Sequence, residues 1–263
     1  MNILFTICGR AGSKGIKNKN ICNFAGNPLP YYTISALDLF LEKTSLDIKS
    51  DIVVNSDSMD LLKIMAENPI RSLELIKRSP ELGGDNIGKI EVIRNCLESM
   101  EKRKGCVYEI VVDLDITSPL RTAMDIEKLI DKHIDKKPDV TVSVTSARRN
   151  PYFNQIKDTG HGFKKVIESN YTARQQAPEI FDMNASLYAY FPGYLRSGKG
   201  VLDGYCECIK MYDTGILDID SGNDFELMEI IAGYLFQKNP GFMEVYKNIC
   251  KKVKNESLRN SYY

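Results

Sequence analysis

The sequence is poor in the residues that much of enzyme chemistry relies on. It has two histidines, His133 and His161, in unrelated contexts. His133 sits in the charged stretch 131–135 and reads as part of a solvated helix face. His161 follows Gly160 in a turn. Ser-His-Asp catalysis and histidine-rich zinc sites are therefore excluded as leading readings. The seven cysteines are an odd number, and their one close spacing, Cys206-Glu207-Cys208, is not the C-x-x-C of redox or zinc motifs. They read as reduced thiols, mostly small core residues. No apolar run approaches the roughly 18–20 residues of a membrane span. The N-terminus shows no basic lead or cleavage site and reads as a strand, so a cytoplasmic protein is expected. Charge excess is absent too. The 35 basic and 35 acidic residues cancel, which removes the electrostatic footprint of a nucleic-acid binder.

What is present is a strand–helix alternation. Apolar runs at 3–8, 51–55, 72–77 and 109–114 read as strands. Stretches with helical apolar spacing at 31–41, 58–65, 87–100 and 124–134 fall between and after them, the second capped from Ser56-Asp57-Ser58. Residues 140–144 alternate like a half-buried strand. This order predicts an α/β fold with a mostly parallel sheet and helices on both faces. Beyond Arg149 the rhythm changes. Segments 152–156 and 163–167 flank a glycine turn and predict a β-hairpin. Further strands are expected at 185–191, 210–212 and 216–219, then helices at 225–236 and near 243–253. With no linker or repeat, one domain spans 1–263, with a hairpin-bearing excursion at about 146–195.

The first loop carries the most chemistry. Glycines at 9, 12 and 15 follow the first strand, and Arg10, Lys14, Lys17 and Lys19 are interleaved with them. Glycines let backbone N–H groups approach an anion, so the loop suits a polyphosphate, against the alternative of a solvated basic turn. The spacing matches neither a Walker A loop nor G-x-G-x-x-G, which disfavours a nicotinamide oxidoreductase.

Residues 9–20 resemble the opening pattern of the acylneuraminate cytidylyltransferases, the CMP-sialic acid synthetase family, with Gly9 at the usual alanine. Further blocks agree in order: 25–29, Asn55-Ser56-Asp57-Ser58, Arg78 to Leu82 with Asp85, and Thr117-Ser118-Pro119-Leu120-Arg121. Later come Ala173-Arg174-Gln175, an Asn-x-x-x-Tyr segment from Asn184 to Tyr188 where the family has glycine second, and Asp218-Ile219-Asp220 with Asp224-Phe225-Glu226. The resemblance covers about residues 3–236. It implies a Rossmann-like nucleotidyltransferase sheet, with CTP as co-substrate and Mg²⁺ as cofactor. The implied product is the CMP derivative of an acidic nine-carbon ulosonic acid: sialic, legionaminic or pseudaminic. By the resemblance Arg10, Ser13, Lys19 and Asn20 hold the phosphates and ribose, and Arg78 the cytosine. Asp218 and Asp220 hold the metal, Arg174 and Gln175 suit the sugar carboxylate, and Tyr188 belongs to the sugar side. Arg10, Lys19 and Asp218 are the expected catalytic groups. The excursion is expected to pair two subunits and complete the sugar pocket, giving a homodimer.

Two positions depart from the family. Asp115 stands where glutamine is usual, and Lys89 where a small hydroxyl residue is usual. Both are expected in the cleft, Lys89 on the nucleotide and Asp115 on the sugar. Paired opposite charges would offset each other's desolvation, so an ion pair between them is expected. Other readings stay open: Asp113 and Asp115 as a rival metal pair, Asp218 and Asp220 as a polar cap for the following helix, a CMP-Kdo synthetase, another base preference, or a silent nucleotide-binding homologue.

Overall fold

The computed structural model describes residues 1–12, 15–84, 87–216 and 218–260, with side chains to residue 256. Ser13, Lys14 and Asp85, all named above, lie outside the described residues. Strand β1 (Asn2–Gly9) is followed by a two-residue pair, β2 (Asn23–Phe24) and β3 (Asn27–Pro28), and by helix α1 (Leu29–Lys43). Then come β4 (Lys49–Ser56), α2 (Met59–Ala66), β5 (Glu74–Lys77), α3 (Lys89–Lys104), β6 (Ile110–Leu114), α4 (Ala123–Lys136) and β7 (Val140–Ser146). A small ribbon, β8 (Ile156–Asp158) and β9 (Phe163–Lys165), precedes β10 (Phe181–Tyr190), α5 (Pro192–Arg196) and β11 (Cys206–Lys210). Helices α6 (Gly222–Lys238) and α7 (Pro240–Asn260) end the chain.

Seven strands form one sheet in the order β11-β7-β10-β6-β1-β4-β5. All pairs are parallel except those of β10, which runs antiparallel between β6 and β7. Alternation along the central strands sends Ile3, Phe5 and Ile7 into one core with α1, α2, α4, α6 and α7. Leu4 and Val111 face the other core, built with α3 and α5. Thr6, Asp113 and Tyr188 are neighbours in register on β1, β6 and β10, and so form a polar row on the α3 side. The carboxyl ends of β1, β4, β5 and β6 share one edge, where ligands of open α/β sheets bind.

The structure moves several expected elements. The first ribbon strand starts at Ile156, because turns occupy the residues expected to extend before it. The strand expected at 210–212 is β11, which starts at Cys206 and ends at Lys210. No strand forms among the described residues of 216–219; Ile219 N–H instead donates to Thr117 O at 2.9 Å. Of the cysteines only Cys96 is buried; the others are half-buried, and all are free thiols.

His133 is not on a solvated face. It is 5% exposed, and its Nδ1 lies 2.9 Å from Thr141 Oγ1, on the strand that α4 covers. Burial pushes the imidazole from the ordinary 6.5 down to about 4. The folded state therefore favours neutral His133. The stabilisation is complete above pH 6.5 and is lost as pH falls toward 4, amounting to about 3 kcal/mol. Urea titrations should show that His133→Gln flattens stability over this window; equal pH slopes in the two proteins would refute the assignment.

In β10 the register with β7 breaks between Met183 and Tyr188, and Ala185 has φ 54°. Asn184 pins this bulge by accepting from Ser143 Oγ at 2.6 Å, while Ser143 Oγ accepts from Leu187 N–H at 2.8 Å. The family's glycine stood at Ala185, and the left-handed backbone is the reason. Ala185→Gly should raise stability by about 0.5–1 kcal/mol, after allowing for the extra freedom of unfolded glycine. A melting temperature that does not rise would refute the strain.

Candidate active site

A cleft of about 510 Å³ opens at the carboxyl edge of the sheet. The loop after β1 lends it Gly9, Arg10, Gly15, Lys19 and Asn20; the segment after β5 lends Arg78 and Leu82 to Gly84. Ile87, Lys89 and Val92 come from the start of α3, Asp115 and Thr117 from the end of β6, and Asp220 from the loop before α6. Residues 200 positions apart in sequence thus share one wall.

Local packing explains how the basic loop is held. A Cβ on Gly15 would lie 1.8 Å from the backbone oxygen of Asp220, so only glycine lets the two loops meet. A Cβ on Gly9 would come 2.5 Å from Leu61 Cδ2, so the family's alanine here would require the Leu61 side chain to shift. Asn20 Nδ2 donates to Arg10 O at 3.0 Å, and Ala11 N–H donates to Asp57 Oδ1 at 2.8 Å. Lys19 Nζ donates to Ile219 O and, at 3.1 Å, to Asp220 Oδ1. Arg78 is buried where β1 and β4 end: its Nε donates to Asn55 Oδ1 at 2.8 Å, and its Nη2 to Gly9 O at 3.1 Å and Asn55 O at 3.0 Å. The loop is fastened at these points, while Arg10 and Lys17 remain exposed.

The capping alternative for Asp218 and Asp220 also fails. Helix α6 is capped by a reciprocal pair, Ser221 and Asp224, whose side chains each bond the other's backbone N–H. Asp218 is half-buried, and its carboxyl is pushed above the ordinary range, first by burial and then by the charges of Asp220 and Asp115. These are hard oxygen donors carrying more negative charge than their surroundings neutralise, and that donor set fits a divalent cation such as Mg²⁺. Neither carboxylate lies on a strand, since the one expected at 216–219 does not form among the described residues. Among the described residues, no three His, Cys, Asp or Glu side chains gather as a ready-made metal cage.

The expected ion pair is present, with a third member. Lys89 Nζ lies 2.5 Å from Asp115 Oδ2 and 2.7 Å from Asp113 Oδ2. Asp113 is fully buried and accepts from Thr6 Oγ1 at 2.7 Å. The other oxygen of Asp115 accepts from Thr117 N–H at 2.8 Å and from Thr117 Oγ1 at 2.7 Å. Burial opposes both charges, but the pairing outweighs it. The Lys89 ammonium is held well above its ordinary value, and the Asp115 carboxyl is lowered to about 2. Asp113 and Asp115 thus enclose an ammonium where the rival reading placed a metal. Beneath them Arg121 is fully buried, donates to the backbone oxygens of Asp115 and Ser118, and adds a second positive charge. Burial pulls its guanidinium down to about 10, still cationic at neutral pH.

Tyr188 stands beside this cluster, with Lys89 Nζ 5.6 Å from its ring centre. Arg174 and Gln175 are not among the residues lining the cleft. They sit on the exposed excursion, where Arg174 Nη2 donates to Ala147 O at 3.1 Å. The sequence reading missed Thr6 and Arg121, whose signals were a polar residue inside an apolar strand and an arginine closing the Thr-Ser-Pro-Leu-Arg block.

No helix among the described residues is long and apolar enough to cross a membrane. Comparison with known proteins agrees with the fold and the motif order. The chain is 32% identical to the post-translational flagellin modification protein B of Campylobacter coli over 229 residues, 87% of this chain and 94% of that protein. Identity is again 32%, with the same coverage, to the CMP-N,N'-diacetyllegionaminic acid synthase of Campylobacter jejuni. A CMP-2-keto-3-deoxy-manno-octonic acid synthetase complexed with CTP superposes with a TM-score of 0.62 at 14% identity, covering 89% of this chain and 99% of that one, a likeness of fold alone. The cytidylyltransferase family model matches residues 4–204, and the chain belongs to that family.

Proposed function

We propose that this chain transfers the cytidylyl group of CTP to the anomeric hydroxyl of an acidic nine-carbon ulosonic acid of the sialic, legionaminic or pseudaminic type. The hydroxyl oxygen bonds to the α-phosphorus and gives up its proton, the bond to the β-phosphate breaks, and pyrophosphate leaves. The observation that carries this reading is the meeting of a basic glycine loop and an acidic loop across one cleft, in a member of this family. Relatives named for CMP-legionaminic and N-acylneuraminate chemistry support the nine-carbon sugar over Kdo.

Phosphoryl transfer needs alignment and charge neutralisation more than covalent help. Arg10, Lys19, Asn20 and the backbone at Gly15 grip the triphosphate, and the resemblance adds Ser13, which lies outside the described residues. Arg78 is fixed by three hydrogen bonds and orients the cytosine end. Asp218 and Asp220 would hold Mg²⁺, which supplies charge neutralisation on the phosphate oxygens when bound. Pyrophosphate release with the four nucleoside triphosphates against sialic, legionaminic and pseudaminic acids and Kdo tests the reading. CTP with a nine-carbon acid should be productive. No release in any pairing, or turnover with Kdo alone, would overturn it. A reaction fed by CTP belongs in the cytoplasm.

The active form in this reading is a homodimer. The excursion exposes Ile156 (62%) and Phe163 (70%) on its ribbon, large apolar side chains suited to a second copy. It also carries Arg174 and Gln175, which then meet the sugar carboxylate across the subunit boundary, Arg174 through its fork of donors. The doubly substituted Ile156→Asp/Phe163→Asp chain should sediment as a monomer at micromolar concentration while the unaltered chain sediments as a dimer. A monomer from the unaltered chain would remove this part of the proposal.

A further inference from the structure

Helix α6 turns an apolar stripe to solvent. Met228, Ala232 and Leu235 fill the core from its inner side. On the outer side Leu227, Ile230 and Tyr234 are 41%, 70% and 61% exposed, at spacings that put them on one face. Single exposed apolar residues are ordinary, but a contiguous stripe on the order of 400 Å² is of the size that marks an interaction site. Gly233 borders the same face. It is exposed, and a Cβ built on it would meet nothing within 4 Å. Neither crowding nor a left-handed backbone calls for glycine there, and glycine is among the poorest residues for a helix interior. A second backbone packed at that point supplies the reason, since the missing side chain lets two helices approach closely.

Charge decides what packs there. Glu226, Ile230, Tyr234 and Lys238 stand four residues apart and form one ridge along the helix. The ridge is apolar in the middle and oppositely charged at its two exposed ends. It complements a copy of itself only when that copy is reversed. A parallel pair sets like charges together at both ends. An antiparallel pair sets Glu226 against the partner's Lys238 at both ends and Ile230 against the partner's Tyr234, with Gly233 beside the crossing.

We infer that α6 packs antiparallel on α6 of a second copy, across a two-fold axis near Gly233, in a contact additional to the excursion pairing. The contact is isologous, each copy presenting the same ridge. The two stripes with their polar flanks bury about 1,000 Å², the low end for a specific interface, so the contact forms above the micromolar range. Where the excursion pairing also holds, dimers join into tetramers. The inference stands on α6 and not on that pairing.

Sedimentation equilibrium of the whole chain between about 1 and about 500 μM brackets a contact of this size and tests it. The mass of the unaltered chain should double over this range. Ile230→Asp/Tyr234→Asp should keep the mass at its low-concentration value throughout. Gly233→Ala should raise the melting temperature, because alanine is the better helix former, and yet weaken the association about 10-fold, because two added Cβ atoms then stand at the crossing. Glu226→Lys and Lys238→Glu should each weaken the association, and the two together should restore it. If the double aspartate variant does not fold, the glycine and charge variants carry the test. A mass that does not double, or a doubling that the aspartate or glycine variants leave intact, overturns the inference. Charge reversals without effect overturn it too, since a parallel pair is indifferent to them. So does a micromolar dimer that Ile230→Asp/Tyr234→Asp splits, because the excursion partner then already covers the stripe. An unaltered chain that is a monomer at low concentration and doubles through α6 at high concentration upholds the inference and removes the excursion pairing alone.

Discussion

Asp218→Asn should lower turnover by at least ~100-fold while leaving the folded chain as stable as before or slightly more so. The two halves of this result have one cause. Asp218 is half-buried, and burial and then the charges of Asp220 and Asp115 push its carboxyl above the ordinary range. An acid whose folded value is raised contributes stability that is present below its unfolded value and lost as pH rises through the folded one. At neutral pH the carboxylate is therefore a cost to folding, and the amide removes it. Such a cost is tolerated where negative charge serves function; in the proposed reading Asp218 is one of two ligands for a cation that offsets the triphosphate. Asp220→Asn should also lose turnover, but it additionally releases Lys19 from its 3.1 Å partner. Steady-state rates at saturating CTP, read beside thermal melts, check the pair. Near-normal rates in both variants would remove the metal assignment.

The parallel frame was legible in the sequence because its signals are local. Strands β1, β4, β5 and β6 are each built on a short apolar run closed by a polar loop, and Ser58 does cap α2 by accepting from Leu61 N–H. What escaped depends on contacts between distant segments. His133 follows Asp131 and Lys132 and comes two residues before Asp135, so its helix reads as solvated there. Only the packing of α4 on β7 and β11 shows that its stripe points inward. The expected strand at 216–219 is mostly apolar, but Ile219 spends its N–H on the Thr117 loop, not on a strand ladder. Strand β10 carries a bulge with positive φ at an alanine, and composition does not announce that.

The candidate site was legible as a set of blocks and not as an arrangement. Glycine spacing and basic residues marked the first loop. That Gly15 is packed against the Asp220 backbone, so that one wall is built from both ends of the chain, follows only from the fold. Asp113-Leu114-Asp115 illustrates the gap well. Two carboxylates two residues apart on a strand share a face, as a metal pair would. Helix α3 settles their role by delivering an ammonium between them.

That third member changes what the Lys89–Asp115 pair should do when it is cut. For an isolated pair, removing both partners restores much of what removing one loses. Here Lys89 answers two carboxylates, one of them fully buried, so the costs are unequal. Lys89→Ser leaves Asp113 and Asp115 facing each other with Arg121 as their remaining nearby cation, and should destabilise the chain by about 3 kcal/mol, the low end of the range because Lys89 is partly exposed. Asp115→Gln leaves Lys89 with Asp113, keeps an acceptor for Thr117, and should cost about 1 kcal/mol. In the double variant Asp113 is still buried without its ammonium. Stability should therefore remain about 2 kcal/mol below the unaltered chain, giving a coupling of about 2 kcal/mol in magnitude. Adding Asp113→Asn to the double variant removes the last carboxylate that faced Lys89 but leaves the buried Arg121 with Asp125 as its remaining nearby carboxylate, so it should recover only part of the remaining loss. Urea unfolding of the four variants measures each step. Full recovery in the double variant would mean that Asp113 does not share the lysine. Strict additivity of Lys89→Ser and Asp115→Gln would mean that the 2.5 Å contact carries no energy of its own.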